Sequence, residues 1–307
     1  MKICFMGSME FAVPILEALN KKYDVALVVT QPDKPVGRKR ILTPTKVKEK
    51  ALELGIDLFQ PINIKNDYKK ITDLDLDFII VAAYGQMIPE IVLQHAKYQA
   101  INVHASLLPK YRGGSPMHRA IQYGDSKTGV TIMFMANKMD SGDILSQKSI
   151  PINDDDNVKT LEEKLSKIGS DLLIETLDNI NQINPIEQDI NKVTFAYNIK
   201  PEEERITFNM SAKDIRNHIR GFNPWPLTYC VIDSLKLKLF EVEVVNENLN
   251  KNIGEIVKIN KNGIYIQTLD GLVVLKEVQL QGKKRMKIND FMNGIGKTLL
   301  ILGKKFD

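Results

Sequence analysis

The feature that most constrains the fold is an alternation of short apolar runs and helical patterns along residues 1–150. The run at 78–83, FIIVAA, is apolar throughout, as expected for a strand that is covered on both faces. Strands that alternate with helices build a mostly parallel sheet with helices packed against it. We therefore predict a domain of the α/β class. Its strands are predicted at 2–6, 25–30, 78–83, 101–104 and 130–135.

Residues 205–307 have a different sequence pattern from the first part of the chain. They contain short β-rich runs separated by turns such as Asp270-Gly271, a pattern typical of a small barrel. The polar tract before them predicts a linker, and a length of 307 residues suits about two domains. The β-rich runs are 229–232, 237–245, 254–259, 263–268 and 272–279. The predicted organisation is an N-terminal domain at 1–187, a linker at 188–204 and a barrel at 205–307.

The net charge of +4 conceals an uneven distribution of charged residues. Residues 34–50 carry seven basic side chains against one acidic side chain, and a second basic cluster occupies 283–287. A single cluster of this kind is most often a solvated face. Two of them, on a chain whose middle is acidic, favour a polyanionic partner.

Composition and motifs exclude several classes of protein. Cys4 and Cys230 match no metal-binding or redox spacing, which favours a reducing cytoplasm. No apolar run approaches the roughly 20 residues that span a bilayer, and Glu10 interrupts the first run too early for a signal peptide. The chain has neither the glycine fingerprint of dinucleotide-binding proteins nor a phosphate-binding loop of the Walker type. We therefore expect a cytoplasmic protein with no membrane partner and no bound metal.

Three loops leave the carboxyl ends of predicted strands, where the ligands of open α/β sheets bind. They occupy 84–89, 104–116 and 136–143. The middle loop, HASLLPKYRGGSP, has no helical period and is too apolar at Leu107-Leu108-Pro109 for disorder, so its length indicates a function. We expect the third loop to leave its strand at the same edge of the sheet.

Asn102 and His104 stand two residues apart at the end of a predicted strand, so they share one face. A carboxamide beside an imidazole can polarise and protonate an oxygen atom. The alternative is a hydrogen-bonded core histidine beside an unrelated asparagine. Asp140, in the third loop, favours catalysis because Asn, His and Asp on adjacent loops can hold an imidazole, an oxyanion and a water. The sequence offers no credible covalent nucleophile, which favours direct transfer between two bound substrates.

These residues lie in segments that resemble the folate-dependent formyltransferases. NVHASLLPKYRGGSP at 102–116 and MDSGDIL at 139–145 match the catalytic block of that family. The basic insertion and the predicted C-terminal barrel are similar to those of members that act on a charged tRNA. Further matching segments cover nearly the whole chain. They are FMGSMEFAVPIL near the start, TQPDKPVGRKRIL at 30–42, AAYGQMIP at 82–89, GVTIMFM at 129–135 and FNPWP at 222–226.

The resemblance implies a Rossmann-like formyltransferase domain, an OB-like barrel, and formyl transfer from 10-formyltetrahydrofolate to the α-amino group of methionyl initiator tRNA. It assigns catalysis to Asn102, His104 and Asp140, with Asp140 holding the imidazole and organising a water that moves a proton. A monomer is expected from the family. Contacts with the folate co-substrate are implied for Ser106, Leu107, Leu108, Pro109, Gln86, Met87 and Ile88. Contacts with tRNA are expected for Arg38, Lys39, Arg40, Lys283, Lys284 and Arg285, among which Arg38 matches the key arginine of the family's specificity loop.

The chain departs from the family pattern at two places. Ser8-Met9-Glu10 stands where Thr-Pro-Asp is usual, and Asn198 stands where a lysine is common in the linker. Neither departure touches the predicted catalytic residues, but the second removes one possible contact with tRNA. Trp225, in FNPWP, either stacks on nucleic acid or packs within its turn, and packing is the favoured interpretation.

Other functions stay open at this point. Formyl transfer to a nucleotide-sugar amine and hydrolysis of formyltetrahydrofolate share the Asn-x-His pair and the distal Asp, but the basic loop at 34–40 argues against both. A catalytically silent tRNA-binding protein is expected to lack part of the trio, which is intact here. A Rossmann dehydrogenase needs the glycine fingerprint that this chain lacks.

Overall fold

The computed structural model describes residues 1–37 and 39–307, and Arg38 lies outside the described residues. The strands of the first part of the chain are β1 (Lys2–Gly7), β2 (Asp24–Val29), β3 (Lys34–Val36), β4 (Ile41–Thr43), β5 (Leu58–Phe59), β6 (Phe78–Ala82), β7 (Ala100–His104), β8 (Lys127–Phe134) and β9 (Ile144–Pro151). The helices are α1 (Val13–Lys22), α2 (Lys46–Glu53), α3 (Lys69–Thr72), α4 (Glu90–Leu93), α5 (Pro116–Gln122) and α6 (Val158–Asp178). Short 3-10 turns occur at Glu10–Ala12, Ile180–Gln182, Ile190–Lys192 and Pro201–Glu204.

The chain divides into two compact units. The first unit comprises Met1–Pro116, Lys127–Pro151 and Glu162–Tyr197. The second comprises Met117–Ser126, Ile152–Leu161 and Asn198–Asp307. The second unit therefore includes most of α5 and the segment 152–161, which contains the first turn of α6, and the sequence analysis assigns both to the N-terminal domain.

The first unit is built on a seven-stranded sheet in the order β5-β2-β1-β6-β7-β8-β9. The five strands from β5 to β7 run parallel, which confirms the predicted sheet for this part. All five residues of β6 and of β7 are buried, so both faces of the sheet centre are covered. Continuous apolar strands such as β6 are what such coverage requires.

The other two strands run the opposite way to their neighbours. β8 is antiparallel to β7, and β9 is antiparallel to β8. The register pairs Ile101 with Phe134 and His104 with Thr131, so β8 ends beside the amino end of β7. The expectation that the loop after β8 leaves at the edge where β7 ends is therefore wrong. An apolar run indicates burial but carries no information on strand direction.

The second unit is an antiparallel barrel, and its helices α7 (Ala212–Gly221), α8 (Ile288–Met292) and α9 (Gly296–Leu299) contribute to the same core cluster. Its sheet runs in the order β10-β11-β14-β13-β12, with β15 paired to β14. Residues 303–307 join the two edges, because Lys305 bridges Glu255 and the backbone N–H of Asp307 donates to Val231 O (3.0 Å). The predicted small barrel is thus confirmed. The elements are α7 (Ala212–Gly221), β10 (Thr228–Ile232), β11 (Leu235–Val245), β12 (Ile256–Asn260), β13 (Gly263–Gln267), β14 (Leu272–Leu280), β15 (Met286–Lys287), α8 (Ile288–Met292) and α9 (Gly296–Leu299).

Helix α7 begins at a polar cap and buries an apolar stripe. The Ser211 hydroxyl accepts from the backbone N–H of Asp214 (3.0 Å), as a helix N-cap should. Ile215 and Ile219, one turn apart, join the core cluster of the barrel. Trp225 follows this helix with 67% of its surface exposed, so the expectation that it packs within its turn is wrong for most of the side chain. None of the helices in the described part of the chain combines the length and apolar character needed to cross a bilayer.

His118, in α5, is a partly buried titratable group of the second unit. Its Nδ1 atom is buried and makes no hydrogen bond to any described residue. Burial lowers the pKa of His118 from 6.5 to about 4, because the charged form loses its hydration. The folded state therefore keeps this imidazole neutral at a pH where the unfolded chain binds a proton.

We predict that acidification from about pH 7 to about pH 4 destabilises the wild type more than the His118→Gln variant. Between the unfolded pKa of 6.5 and the folded pKa of about 4, only the unfolded state binds a proton at His118, so the free energy of unfolding falls as the pH falls. Urea midpoints from far-UV circular dichroism across this range measure the effect. Other titrating groups occur in both chains and cancel in the comparison. Parallel pH profiles for the two chains would contradict the prediction.

Candidate active site

Strand β7 presents Asn102 and His104 on one face at its carboxyl end. The strand is held by β6 on one side and β8 on the other, with Asn102 paired to Val81 and Met133. Both side chains are buried, at 8% and 6% exposure. The pair thus lies on a rigid strand in a largely water-excluded position, as the alternation of side chains along a strand predicts.

The His104 ring is oriented by a backbone carbonyl. Its Nε2 atom lies 3.0 Å from Tyr111 O, and because a carbonyl oxygen can only accept, Nε2 carries the hydrogen. Nδ1 is then directed towards Asp140, whose Oδ2 atom is 3.7 Å away. Nδ1 is therefore the nitrogen available to exchange a proton with a substrate or a water.

Asp140 reaches this face on a loop that folds back over the sheet. The N–H of Phe134 donates to Asp143 O (3.0 Å), which closes the loop at its base. The carboxylate accepts from the N–H of Gly113 at Oδ2 (2.7 Å) and lies 3.4 Å from Asn102 Nδ2 at Oδ1. The structure thus brings Asn102, His104 and Asp140 within one water of one another.

The loop that follows β7 is fixed by a single hydroxyl. Thr131 Oγ1, on β8, donates to Ser106 O (2.6 Å) and accepts from Leu108 N–H (3.1 Å). Gln147 Nε2 donates to the same hydroxyl and to Leu108 O, at 2.8 Å each. Sequence reasoning missed Thr131 and Gln147, because their relation to the loop depends on strand register. Thr131 and Gln147 therefore hold the SLLP turn in one conformation.

The residues expected to contact folate fall into two groups. Ser106, Leu108 and Ile88 are buried, and the Ser106 hydroxyl donates to Lys110 O (2.7 Å), so they shape their loops. The others keep accessible surface: Leu107, Pro109, Gln86 and Met87. Their contacts with a folate stay predictions.

A groove of about 590 Å³ runs along the carboxyl edge of the parallel strands. The Gln86 side chain helps to shape it, since Oε1 accepts from Ile64 N–H (3.0 Å) and Nε2 donates to Pro61 O (3.3 Å). Met87 is exposed at its rim. The lining residues are Gln31, Pro32, Lys34, Ile62, Asn63, Lys65, Gly85, Gln86 and Met87. Ligands of this fold class bind at this edge of the sheet.

The first basic cluster lies on a two-stranded hairpin. β3 and β4 pair antiparallel, and Lys39 and Arg40 are exposed on the turn between them. Arg38 lies outside the described residues. The exposed apolar residues Val36, Ile41 and Leu42 also belong to this hairpin. Such a projecting basic element can contact the phosphates of a nucleic acid.

The second basic cluster is partly neutralised by its own unit. Arg285 pairs with Glu277 (2.5 Å) and lies over the Phe240 ring, 4.2 Å from the centroid. Hydrogen bonding to Arg285 lowers the pKa of Glu277, so this pair stays charged. Lys283 and Lys284 are exposed, and no ion pair is recorded for them with the described residues. The lysines therefore remain the better candidates for a polyanion contact.

Thiol nucleophiles and metal ligands are the other chemical groups to consider in the described part of the chain. Cys4 and Cys230 are free and buried, and burial raises the pKa of both thiols well above the ordinary range. They are therefore poor nucleophiles, since the thiolate is the reactive form. Across the described residues, no group of three or more His, Cys, Asp or Glu side chains is arranged to hold a metal ion.

The chain is similar to known formyltransferases along its whole length. Its sequence matches the formyl transferase family over residues 1–177 and the formyl transferase C-terminal domain over residues 198–296. It is 45% identical over 309 aligned residues to a methionyl-tRNA formyltransferase of Staphylococcus aureus, with 99% of each chain covered. It is 46% identical over 304 residues to the methionyl-tRNA formyltransferase of Staphylococcus epidermidis, with 97% of this chain and 98% of the relative covered.

Solved structures with the same fold include formyltransferases that act on sugars. One is a sugar 3N-formyl transferase, with a TM-score of 0.68 at 22% identity, covering 92% of this chain and 99% of that one. Another is an N-formyltransferase from Helicobacter canadensis solved with folinic acid and dTDP-3-aminofucose, with a TM-score of 0.69 at 19% identity and coverage of 93% and 100%. At these identities the likeness is one of fold alone.

We predict that Gly142→Ala destabilises the first unit and displaces the Asp140 loop. A Cβ atom at Gly142 would lie 1.9 Å from the backbone oxygen of Phe134, so the loop or β8 must shift. Overpacking of this kind typically costs about 1–3 kcal/mol. Urea unfolding measures the loss. Gly294→Ala is the control, because its Cβ meets nothing closer than 3.8 Å, and equal midpoints for the two variants would contradict the prediction.

Proposed function

This chain belongs to the formyl transferase family, and from that premise we propose that it transfers the formyl group of 10-formyltetrahydrofolate to the α-amino group of methionyl initiator tRNA. The observation that carries the proposal is the sequence identity of 45–46% to methionyl-tRNA formyltransferases over nearly the full length of both chains. The buried pair of Asn102 and His104, with the partly buried carboxylate of Asp140 beside it, supports it independently. The N-formyl product serves translation initiation.

The reaction begins with the attack of the acceptor amine. An α-amino group has a pKa of about 8, so a useful fraction is neutral at physiological pH and can attack the formyl carbon directly. The carbonyl oxygen then becomes an oxyanion on a tetrahedral carbon. Loss of a single donor to such an oxygen typically costs about 10²–10³ in rate. The Asn102 amide and a protonated His104 are the donors that the geometry offers.

Collapse of the intermediate requires a proton to move between two nitrogens. The former amine carries an extra proton, and the N10 atom of the folate must gain one as its bond to the formyl carbon breaks. Asp140 lies 3.7 Å from His104 Nδ1, a separation that suits a carboxylate holding the imidazole and a water between the groups. Because the carboxylate and the imidazole hold fixed positions, the proton moves over a short distance that is the same in each turnover.

The donor site is assigned to the edge where β6 and β7 end. Gln86 and Met87 line the groove there, and Leu107 and Pro109 keep surface on the adjacent loop. An open groove with few charged groups suits the flat pterin and the aminobenzoyl part of a folate. The folate is a co-substrate, which arrives and leaves in each turnover.

A second candidate is formyl transfer to a nucleotide-sugar amine, because solved structures of sugar formyltransferases share the fold. The exposed basic hairpin with Lys39 and Arg40 favours the tRNA acceptor instead, because a small sugar nucleotide does not need a projecting cationic element. Radiolabelled formyl transfer to methionyl initiator tRNA, methionyl elongator tRNA and dTDP-amino sugars decides between them. Formylation of the sugar alone would overturn the proposal.

We also propose a role for the barrel unit, a location and an oligomeric state for this enzyme. The barrel unit adds a salt-sensitive grip on tRNA through Lys283 and Lys284. The enzyme acts in the cytoplasm, where charged initiator tRNA is used. It works as a monomer, which sedimentation in the presence and absence of tRNA tests.

We predict that Asp140→Ala lowers kcat for formyl transfer by at least about 100-fold, because proton transfer by a positioned group contributes roughly 10²–10⁴. The KM values for folate and tRNA should change only a few-fold, since Asp140 is held by Gly113 and not by a substrate contact. Asp143→Ala is the matched control, an exposed carboxylate on the same loop. Turnover of Asp140→Ala within a few-fold of the wild type would remove the proposed mechanism.

We predict that Arg38→Ala and the pair Lys39→Ala/Arg40→Ala raise the KM for charged tRNA or lower its turnover, while folate affinity stays unchanged. Each lost phosphate contact should reduce the slope of log affinity against log salt by about one. Lys21→Ala, an exposed lysine on α1, serves as the control. Steady-state kinetics at several salt concentrations and folate titrations give both readouts. Equal loss of folate binding would show that the hairpin has another role.

A further inference from the structure

Gln188 is a buried polar side chain in the segment that the sequence predicts as the linker. Only 7% of its surface is exposed. Its Nε2 atom donates to Asp140 O (2.9 Å) and to Gly142 O (2.7 Å). Its Oε1 atom accepts from Arg112 Nε (3.0 Å) and Nη2 (2.8 Å). Both ends of the amide are therefore fully used by the two loops that form the active site.

These contacts close a ring around the catalytic carboxylate. Gln188 holds the backbone of Asp140, and the Asp140 side chain accepts from Gly113 N–H. Gly113 follows Arg112, whose guanidinium returns to Gln188. A displacement of any member thus moves the carboxylate relative to His104.

The backbone at Asp140 needs such support. Asp140 has a φ of +49°, in the left-handed region that residues with a Cβ atom rarely adopt. Residues held in sparsely populated conformations persist only when the surroundings determine them. The two bonds from Gln188 Nε2 hold the turn at the carbonyl of Asp140 and at that of Gly142, two residues further along.

Gln188 is itself fixed at both ends of its segment. On one side, Ile186 exchanges two backbone hydrogen bonds with Ile144 (2.8 and 2.9 Å). On the other, Phe195 bridges Arg112 in parallel, with Arg112 N–H donating to Thr194 O (2.9 Å) and Ala196 N–H to Arg112 O (2.8 Å). The amide is therefore held at a fixed position relative to both loops.

We propose that Gln188 is a positioning residue of this enzyme, which acts through Asp140 to keep the carboxylate at its distance from His104. The inference rests on the proposed function, since it assigns the role to that same reaction. It places part of the catalytic machinery outside the block of sequence that contains the trio. The segment 186–196 then supports the two active-site loops through its hydrogen bonds to them.

The test uses Gln188→Glu in the full chain. A glutamate keeps an oxygen for Arg112 but loses both donors, so it separates support of Asp140 from the contact with Arg112. A misplacement of about 1 Å at a catalytic group can cost roughly 100-fold. We therefore expect kcat to fall by about 10- to 100-fold, with both KM values within about threefold of the wild type. Gln188→Asn keeps the amide but shortens its reach, so its kcat should lie between those of the wild type and Gln188→Glu. It replaces Gln188→Glu in the test if that variant does not fold.

Gln267→Glu is the matched control. Gln267 is also buried, and its Nε2 atom donates to the backbone oxygens of Thr268 (3.0 Å) and Gly271 (3.2 Å) in the barrel. It should lower thermal stability at least as much as Gln188→Glu does while leaving kcat unchanged. A kcat loss that tracks the loss of stability in both variants would overturn the proposal.

Combination with Asp140→Ala separates positioning from general support. If Gln188 acts through Asp140, the change Gln188→Glu should lower kcat less than about threefold in the Asp140→Ala background, because coupled residues are non-additive. A further 10- to 100-fold loss in that background, or an unchanged kcat in the single variant, overturns the inference. Failure of the proposed function is seen separately, as a wild-type enzyme that does not formylate methionyl initiator tRNA.

Discussion

The candidate active site depends on one hydrogen bond from the backbone N–H of Gly113 to Asp140 Oδ2, at 2.7 Å. A carboxylate that is only 15% exposed needs donors to replace lost hydration, and this N–H is a donor in a fixed place. The bond ties the loop after β7 to the loop after β8. Because His104 is oriented by Tyr111 O on the first of these loops, the same contact sets the relation between imidazole and carboxylate.

The direction of β8 explains why the Asp140 loop is built as it is. A parallel strand would end at the active-site edge, and a short turn would suffice to present an aspartate there. Since β8 runs antiparallel, its chain emerges at the opposite edge and must return over the sheet. That return explains the close approach of Gly142 to Phe134 O and the left-handed backbone at Asp140. The strained geometry is a consequence of topology.

Sequence patterns predicted the parts of the protein that depend on local periodicity. The burial of β6 follows from its continuous apolar run. The strand with Asn102 and His104 and the strands of the barrel follow from β-rich runs and turn residues. The patterns could not predict the direction of β8 or the partners of Thr131 and Gln147, because these depend on register between distant segments. The juxtaposition of Asp140 with His104 was predicted for a wrong reason, as the loop does not leave at the expected edge.

The polar segment around Gln188 illustrates why composition misleads near an active site. Loops without regular structure carry backbone groups that no neighbouring strand satisfies, and each buried unsatisfied group costs about 1–3 kcal/mol. Gln188 satisfies two such carbonyls, and Thr194 accepts from the N–H of Tyr111 through Oγ1 (2.9 Å). An apolar segment in this position would leave those groups without partners. The polar side chains of residues 186–196 therefore supply hydrogen-bond partners to the two loops beside them. In the sequence alone, the same segment has the composition of a solvated linker.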